Sequence, residues 1–215
     1  MGRDLELACR CGQIHGWLRD AAPSSVNRVV CYCDDCQAFL HHLGRADLLD
    51  AHGGSDLVQV APASIAFDRG TGNIVALRLS PKGLYRFYAS CCKTPLGNAL
   101  RPSIPFVGLL TELCKSVPDS ATRDAVFGPP VGGIFGKFAI GQVPGASEKA
   151  SLGLVARTAW RILGWKLGGK TWPHPYFEPG ALEPRYPVTI LTRVERETAR
   201  SRSGPQPGHR ADLAG

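Results

Sequence analysis

Seven of the eight cysteines fall in three tight clusters: Cys9-Arg10-Cys11, Cys31-Tyr32-Cys33-Asp34-Asp35-Cys36, and Cys91-Cys92. A thiolate is a soft ligand, and cysteines one or two residues apart reach a single ion without straining the backbone. Long segments separate the clusters, so only folding can bring them together. The pattern predicts a domain that binds zinc at two sites. Two closed tetrahedral sites need eight ligands. Seven leave one zinc with an open position, and an open position on zinc is where chemistry occurs.

Other uses of cysteine account for less of the pattern. Cys114, alone in Thr111-Glu112-Leu113-Cys114, reads as a small buried hydrophobe. Cys9 and Cys11 stand two apart, on one face of a strand, and do not readily bond to each other. Adjacent Cys91 and Cys92 could form only a strained disulfide, which makes a redox role the weaker reading. The first residues, Met-Gly-Arg-Asp-Leu-Glu-Leu-Ala, hold no apolar signal core. The expected location is therefore the cytoplasm, where thiols stay reduced and clustered cysteines act as metal ligands.

A chain of 215 residues supports one domain with a real core, plus appendages. Its 25 glycines and 17 prolines suit turns and short strands more than long helices. No apolar run reaches the length of a transmembrane helix. The net charge of +7 favours contact with anions: nucleic acid, an acidic membrane surface or small acidic ligands. Part of that charge, Arg193, Arg196, Arg200, Arg202 and Arg210, falls near the C-terminus in company with Gly, Pro and Ser. Residues 196–215 are expected to be a disordered basic tail.

The fold expected is mainly β, a zinc-binding domain of short antiparallel strands over residues 1–145, with its motif core at about 5–110. Strand-like runs precede the second and third clusters, at Val26–Val30 and Tyr85–Ser90. Gln37 to Asp50 is more helical in pattern. Ser64–Phe67 and Ile74–Leu79, joined by the turn Asp68-Arg69-Gly70-Thr71-Gly72-Asn73, suggest a hairpin. The loop Phe127-Gly128-Pro129-Pro130-Val131-Gly132-Gly133 lacks the Lys-Ser/Thr ending of a phosphate loop and carries no nucleotide role. Residues 146–195 read as a helix and a proline-rich extension packed on the β domain. The helix, 148–168, sets Leu152, Val155, Ala156, Ala159, Trp160, Leu163 and Leu167 on one face, with Arg157 and Arg161 opposite. That apolar face is expected to dock on the domain. The alternative is a membrane surface, with Trp160 and Trp165 as anchors. Val188–Leu191 is a final strand candidate.

The cysteine text, with Gly12 after the first cluster and Lys93-Thr94-Pro95-Leu96-Gly97-Asn98 after the third, resembles the glutathione-dependent formaldehyde-activating enzyme family. Centromere protein V belongs to the same group. The resemblance covers roughly residues 5–110 and implies that family's β-tent arrangement. It implies a structural zinc on Cys9, Cys11 and Cys92, and a second zinc on Cys31, Cys33 and Cys36 beside the glutathione site. The family's third cluster is Cys-x-x-Cys followed by Gly-Thr. Here Ala89 stands at the first of those positions, Cys91 sits beside Cys92, and Lys93 replaces the Gly. Cys91 can complete the structural site through a shifted backbone, or turn to the second zinc and close it.

A three-thiolate zinc with an open position binds a fourth thiolate, such as glutathione's, and keeps it deprotonated at neutral pH. The reaction expected is carbon–sulfur lyase chemistry on the adduct of a glutathione-type thiol with a small aldehyde, with Cys31, Cys33 and Cys36 as the zinc-held thiol site. Arg45, Lys82, Arg86, Lys93 and Arg101 are candidate receivers of glutathione's carboxylates. His41 and His42 could move a proton, although each reads first as a surface histidine. The rival reading is a non-catalytic structural zinc domain that binds nucleic acid or a protein partner. The arginine-rich tail favours it, but no helix-turn-helix, zinc-finger or RNA-stacking motif is present.

Overall fold

The computed structural model describes residues 2–204 and is mainly β. Strands β1 (Arg3–Ala8), β2 (His15–Ala21) and β5 (Ile65–Arg69) form a three-stranded antiparallel sheet in the order β1-β2-β5. The other strands are β3 (Asn27–Cys31), β4 (Ser55–Val60), β6 (Ile74–Arg78), β7 (Tyr85–Ala89), β8 (Pro95–Ala99), β9 (Val107–Leu110), β10 (Gly133–Ile134) and β11 (Val188–Ile190). They form an eight-stranded sheet in the order β10-β3-β4-β9-β8-β7-β6-β11. Four α-helices accompany the sheets among the described residues: α1 (Asp34–His42), α2 (Ser120–Phe127), α3 (Leu152–Leu167) and α4 (Arg193–Arg200).

Period-two alternation drives Leu5, Leu7 and Leu18 inward from the smaller sheet. They meet Val58, Phe87, Leu96 and Leu109 of the larger sheet in one core. The proline-rich extension joins that core. Tyr176 stacks on Phe87 with ring centroids 3.8 Å apart, and its hydroxyl donates to the carbonyl of Leu96 at 2.8 Å. A second cluster, with Val29, Leu57, Leu77, Leu110 and the α1 residues Ala38, Phe39 and Leu40, surrounds Cys31 and Cys36.

Three expectations are corrected. The proposed hairpin of residues 64–79 does not form. β5 pairs with β2 and β6 with β7, so the turn at Gly70 carries the chain from one sheet to the other. Gly70 has φ of +71°, and a Cβ there would lie 2.0 Å from the carbonyl oxygen of Gln13, so only glycine fits this corner. Within residues 5–110 all pairing is antiparallel, as expected, and β10 on β3 and β11 on β6 add parallel edges from outside that core, reached by long excursions of the chain.

The second correction concerns α3, which docks by the opposite face. Leu154 and Trp165 are buried, with Thr158, Arg161 and Ile162 half-buried between them. Leu152, Trp160 and Leu167 are 88%, 76% and 80% exposed. The reason is polar. Asn27 Oδ1 accepts from Arg157 Nε at 2.8 Å and Arg161 Nε at 2.7 Å, and Gln59 Oε1 accepts from Thr158 Oγ1 at 2.9 Å. Two guanidinium donors on buried Asn27 and the Thr158 hydroxyl on half-buried Gln59 hold the helix, and the apolar stripe faces outward.

The third concerns the tail. Residues 196–204 are ordered: α4 runs to Arg200, and Ser203 and Gly204 are buried. Thr192 and Glu195 make a capping box that starts α4, and Arg200 pairs with Asp34 and Asp35 on α1. Residues 205–215 of the expected tail lie outside the described residues. No helix of the described residues is long and apolar enough to cross a membrane.

Candidate metal centres and the adjoining cavity

The seven clustered cysteines divide four and three. Cys9, Cys11, Cys91 and Cys92 form one group, and Cys31, Cys33 and Cys36 the other, each with its sulfurs within 4.8 Å of one another. Cys91 thus joins the first group and leaves the second with three thiols. Cys114, buried at 2% exposure in the main core, takes part in neither.

The first group clamps two turns, one between β1 and β2 and one between β7 and β8. Sulfur separations are 3.6 Å for Cys9–Cys11, 3.4 Å for Cys11–Cys91 and 3.8 Å for Cys91–Cys92. Metal–sulfur bonds of about 2.3 Å at tetrahedral angles place sulfurs about 3.8 Å apart, so the group has the dimensions of a closed tetrathiolate. Lys93 adopts a left-handed φ of 58°, and its N–H bonds the Ala89 carbonyl at 2.8 Å. This tight turn is the shifted backbone that delivers Cys91. Buried Thr94 organises the turn: its hydroxyl lies 3.1 Å from Cys92 Sγ and accepts from the Arg10 amide at 2.9 Å. Burial pushes the Cys92 thiol up, but the Thr94 hydroxyl and the backbone N–H groups of Cys11 and Thr94 outweigh it and bring it down to about 6. Burial and the Cys11 and Cys92 sulfurs push Cys91 up to about 12.

The second group is local. β3 ends at Cys31, and Cys33 caps α1, its sulfur accepting the Cys36 amide at 3.3 Å. The positive end of the helix thus faces the sulfurs. Arg86 on β7 is only 2% exposed, and its Nη1 lies 3.8 Å from Cys36 Sγ. Contacts from Cys31 and Cys33, together with Arg86, hold the Cys36 thiol well below its ordinary range, while its two partners raise Cys31. One cysteine of each group therefore ionises first, and a soft cation displaces the remaining protons. A guanidinium this deeply buried needs an anion, and the thiolates supply it. The donors and their surroundings fit a divalent metal in both groups.

A cavity of about 420 Å³ opens beside the second group. Cys31, Cys33 and Cys36 line it with Arg86 and Asn98. Its walls include Val29, Leu57, Phe106, Ile134, Phe135 and Phe138. Buried Gln37 of α1 secures the aromatic wall: its Nε2 donates to the Phe138 carbonyl at 2.9 Å and the Tyr32 carbonyl at 2.7 Å. Arg86 Nη1 also donates to Asn98 Oδ1 in a long contact of 3.4 Å. With Oδ1 accepting from Arg86, Asn98 Nδ2 makes no hydrogen bond to another described residue.

Of the five cations considered from sequence, only Arg86 lines the cavity. Arg45 pairs with Asp47 at 2.9 Å and approaches Thr94, beside the first group, and Lys93 Nζ lies 5.4 Å from the centre of the Tyr88 ring. Lys82, Arg101, His41 and His42 do not line it. Asn98 and the phenylalanine wall were not singled out from sequence. Asn98 had a local signal, an amide in a strand where asparagine is disfavoured. Phe135 and Phe138 lay in an irregular stretch with none.

The chain belongs to DUF6151, a family of unknown function that matches residues 1–184. No curated protein matches it.

Proposed function

We propose that this DUF6151 protein is a cytoplasmic, zinc-dependent carbon–sulfur lyase-like enzyme that joins a small thiol to an aldehyde and reverses the addition. The observation that supports this most is the three-cysteine group at the wall of a cavity, while the other group already has four sulfurs for a metal. The similarity of the cysteine text to the glutathione-dependent formaldehyde-activating enzymes points the same way. Zinc on Cys31, Cys33 and Cys36 would supply a fourth position that keeps a thiol as thiolate.

The chain's own groups do the rest. Arg86 offsets the excess negative charge of three thiolates around a divalent ion. The apolar walls exclude water. Asn98 Nδ2, left free by the way Arg86 holds Oδ1, donates to the aldehyde oxygen as it gains charge. In the forward direction the sulfur attacks the carbonyl carbon and a C–S bond forms. The C=O π pair moves to oxygen, which ends with the proton the thiol gave up. The reverse breaks the C–S bond and returns thiol and aldehyde.

X-ray absorption on the zinc protein, with and without added thiol, tests the premise. Two zincs per chain are expected, one with four sulfurs throughout and one that gains a sulfur when thiol is added. Four protein sulfurs at both, unchanged by thiol, would leave the rival reading of a structural zinc domain. The outward apolar stripe of α3 would then favour a protein partner for it.

A further inference from the structure

We infer that the cavity beside Cys31, Cys33 and Cys36 selects an uncharged thiol with an aromatic or branched apolar substituent over an anionic tripeptide such as glutathione. This rests on the thiol-site reading above and narrows its substrate. Three observations carry it.

First, the wall is apolar where a substituent would lie. Val29, Leu57, Phe106, Phe135 and Phe138 line the same cavity as the cysteine triad, so a substituent on a sulfur held there meets mostly apolar walls. Burying an aromatic ring there is favourable by about 25 cal/mol per Å² of apolar surface, before ring–ring contacts add to it. Burying a carboxylate there without a partner is costly.

Second, the cation count is wrong for glutathione. The thiol-bound tripeptide brings two carboxylates and one ammonium. Among the described residues that line the cavity, Arg86 is the single cation, and its charge is committed to the cysteine sulfurs at 3.8 Å. Arg45, Lys82, Lys93 and Arg101 stand outside the lining.

Third, the charged lining other than Arg86 is acidic. Asp34 and Asp35 contribute to it. Both pair with Arg200 of α4, Asp34 Oδ2 at 3.6 Å from Nε and Asp35 through Nη2. That pairing offsets part of their negative charge. It offers no unpaired cation to a negative ligand.

The cavity's volume of about 420 Å³ holds one ring-sized ligand plus a small aldehyde, in the range of ordinary ligand sites. Gln37 fixes the Phe138 segment to α1, so the wall is preformed.

The test uses full-length protein loaded with cobalt(II), whose visible bands report ligand exchange, kept reduced by a phosphine with no thiol. Phenylmethanethiol and glutathione are titrated separately, and cobalt retention is checked after desalting. Phenylmethanethiol is expected to perturb the spectrum with an affinity about tenfold or more above that of glutathione. Phe135→Lys, which sets a cation at the half-buried wall, is expected to shrink that ratio by raising glutathione's affinity. If glutathione binds as tightly as phenylmethanethiol in the wild-type protein, the selectivity is overturned while the thiol site stands. If neither changes the spectrum, the thiol site itself fails and the inference falls with it. The wild-type comparison decides the matter even where the variant does not fold.

Discussion

Arg86 Nη1 lies 3.8 Å from Cys36 Sγ, which makes a fully buried guanidinium the counter-charge of the three-cysteine group. Burial alone lowers the Arg86 pKa, but the charges of Cys36 and Cys33 outweigh it and the net shift is upward. Neither partner is comfortable without the other. Arg86→Met should weaken metal binding at Cys31, Cys33 and Cys36 by about 10–100-fold, the usual effect of removing a group that supports a ligand. Binding at the four-cysteine group should not change. Competition with a chromophoric chelator would resolve the two sites, and Arg86→Lys should restore part of the loss. Equal affinity of Arg86→Met and wild type at both sites would remove Arg86 from the centre.

Removing metal from the two groups should have unequal effects on stability. The four-cysteine group ties the β1–β2 turn to the β7–β8 turn, some 80 residues apart in sequence at Cys11 and Cys91. The three-cysteine group closes only the step from β3 into α1. Metal affinity gained across distant segments is folding free energy. Cys11→Ser should therefore lower the denaturation midpoint of the zinc protein more than Cys33→Ser does. Equal midpoints for Cys11→Ser and wild type would show that the first group adds nothing to folding.

The cysteine division was legible because spacing limits which thiols share an ion. Cys91 was not assigned by spacing. Its allegiance depends on Lys93 taking a left-handed φ of 58°, a backbone choice that a lysine does not advertise. Arg86 stood as one of five equal cations, because only the fold shows that Tyr85, Arg86 and Phe87 are all buried. The α3 helix was found within a few residues, yet its orientation was inverted. An apolar stripe normally faces a core, and nothing local shows that Asn27 and Gln59 wait there as acceptors. The α4 helix has no apolar stripe at all. It exists through its capping box and the pairing of Arg200 with α1, a contact across some 165 residues.

His174 makes stability depend on pH outside both metal groups. It is 2% exposed, packed against Phe177 at 4.8 Å between ring centres. Burial, aided by the charge of Arg185, lowers its pKa to about 4 from an ordinary 6.5. Below pH 6.5 the unfolded chain binds a proton that the folded one refuses. Stability should therefore fall as pH drops from 6.5 toward 4 and level off below, by about 3 kcal/mol in all. His174 Nδ1 also accepts the Tyr176 amide at 3.1 Å. His174→Asn keeps an acceptor for that amide and removes the titration. The difference between the wild-type and His174→Asn profiles, from denaturant unfolding across this range, should trace a single group. Parallel profiles would show that His174 titrates normally in the folded protein.

Asn27 should decide whether α3 stays docked. Its Oδ1 takes two guanidinium donors, at 2.8 and 2.7 Å, and the residue is 1% exposed. Few apolar contacts could substitute, because only Leu154 and Trp165 of the helix are buried. Hydrogen bonds to charged groups contribute about 1.5–3 kcal/mol each, and the freed arginines recover part of that from water. Asn27→Ala should thus loosen α3 by about 2 kcal/mol, a factor of roughly 30 in the fraction undocked. Trypsin cleavage after Arg157 and Arg161 should accelerate accordingly, and Trp165 emission should shift to the red. Metal content should stay at the wild-type level, since Asn27 touches neither cysteine group. Unchanged cleavage would mean that Asn27 does not hold the helix, leaving the apolar contacts of Leu154 and Trp165, the Thr158 bond to Gln59 and the Arg161 bonds to the Pro23 and Ser24 carbonyls to do so.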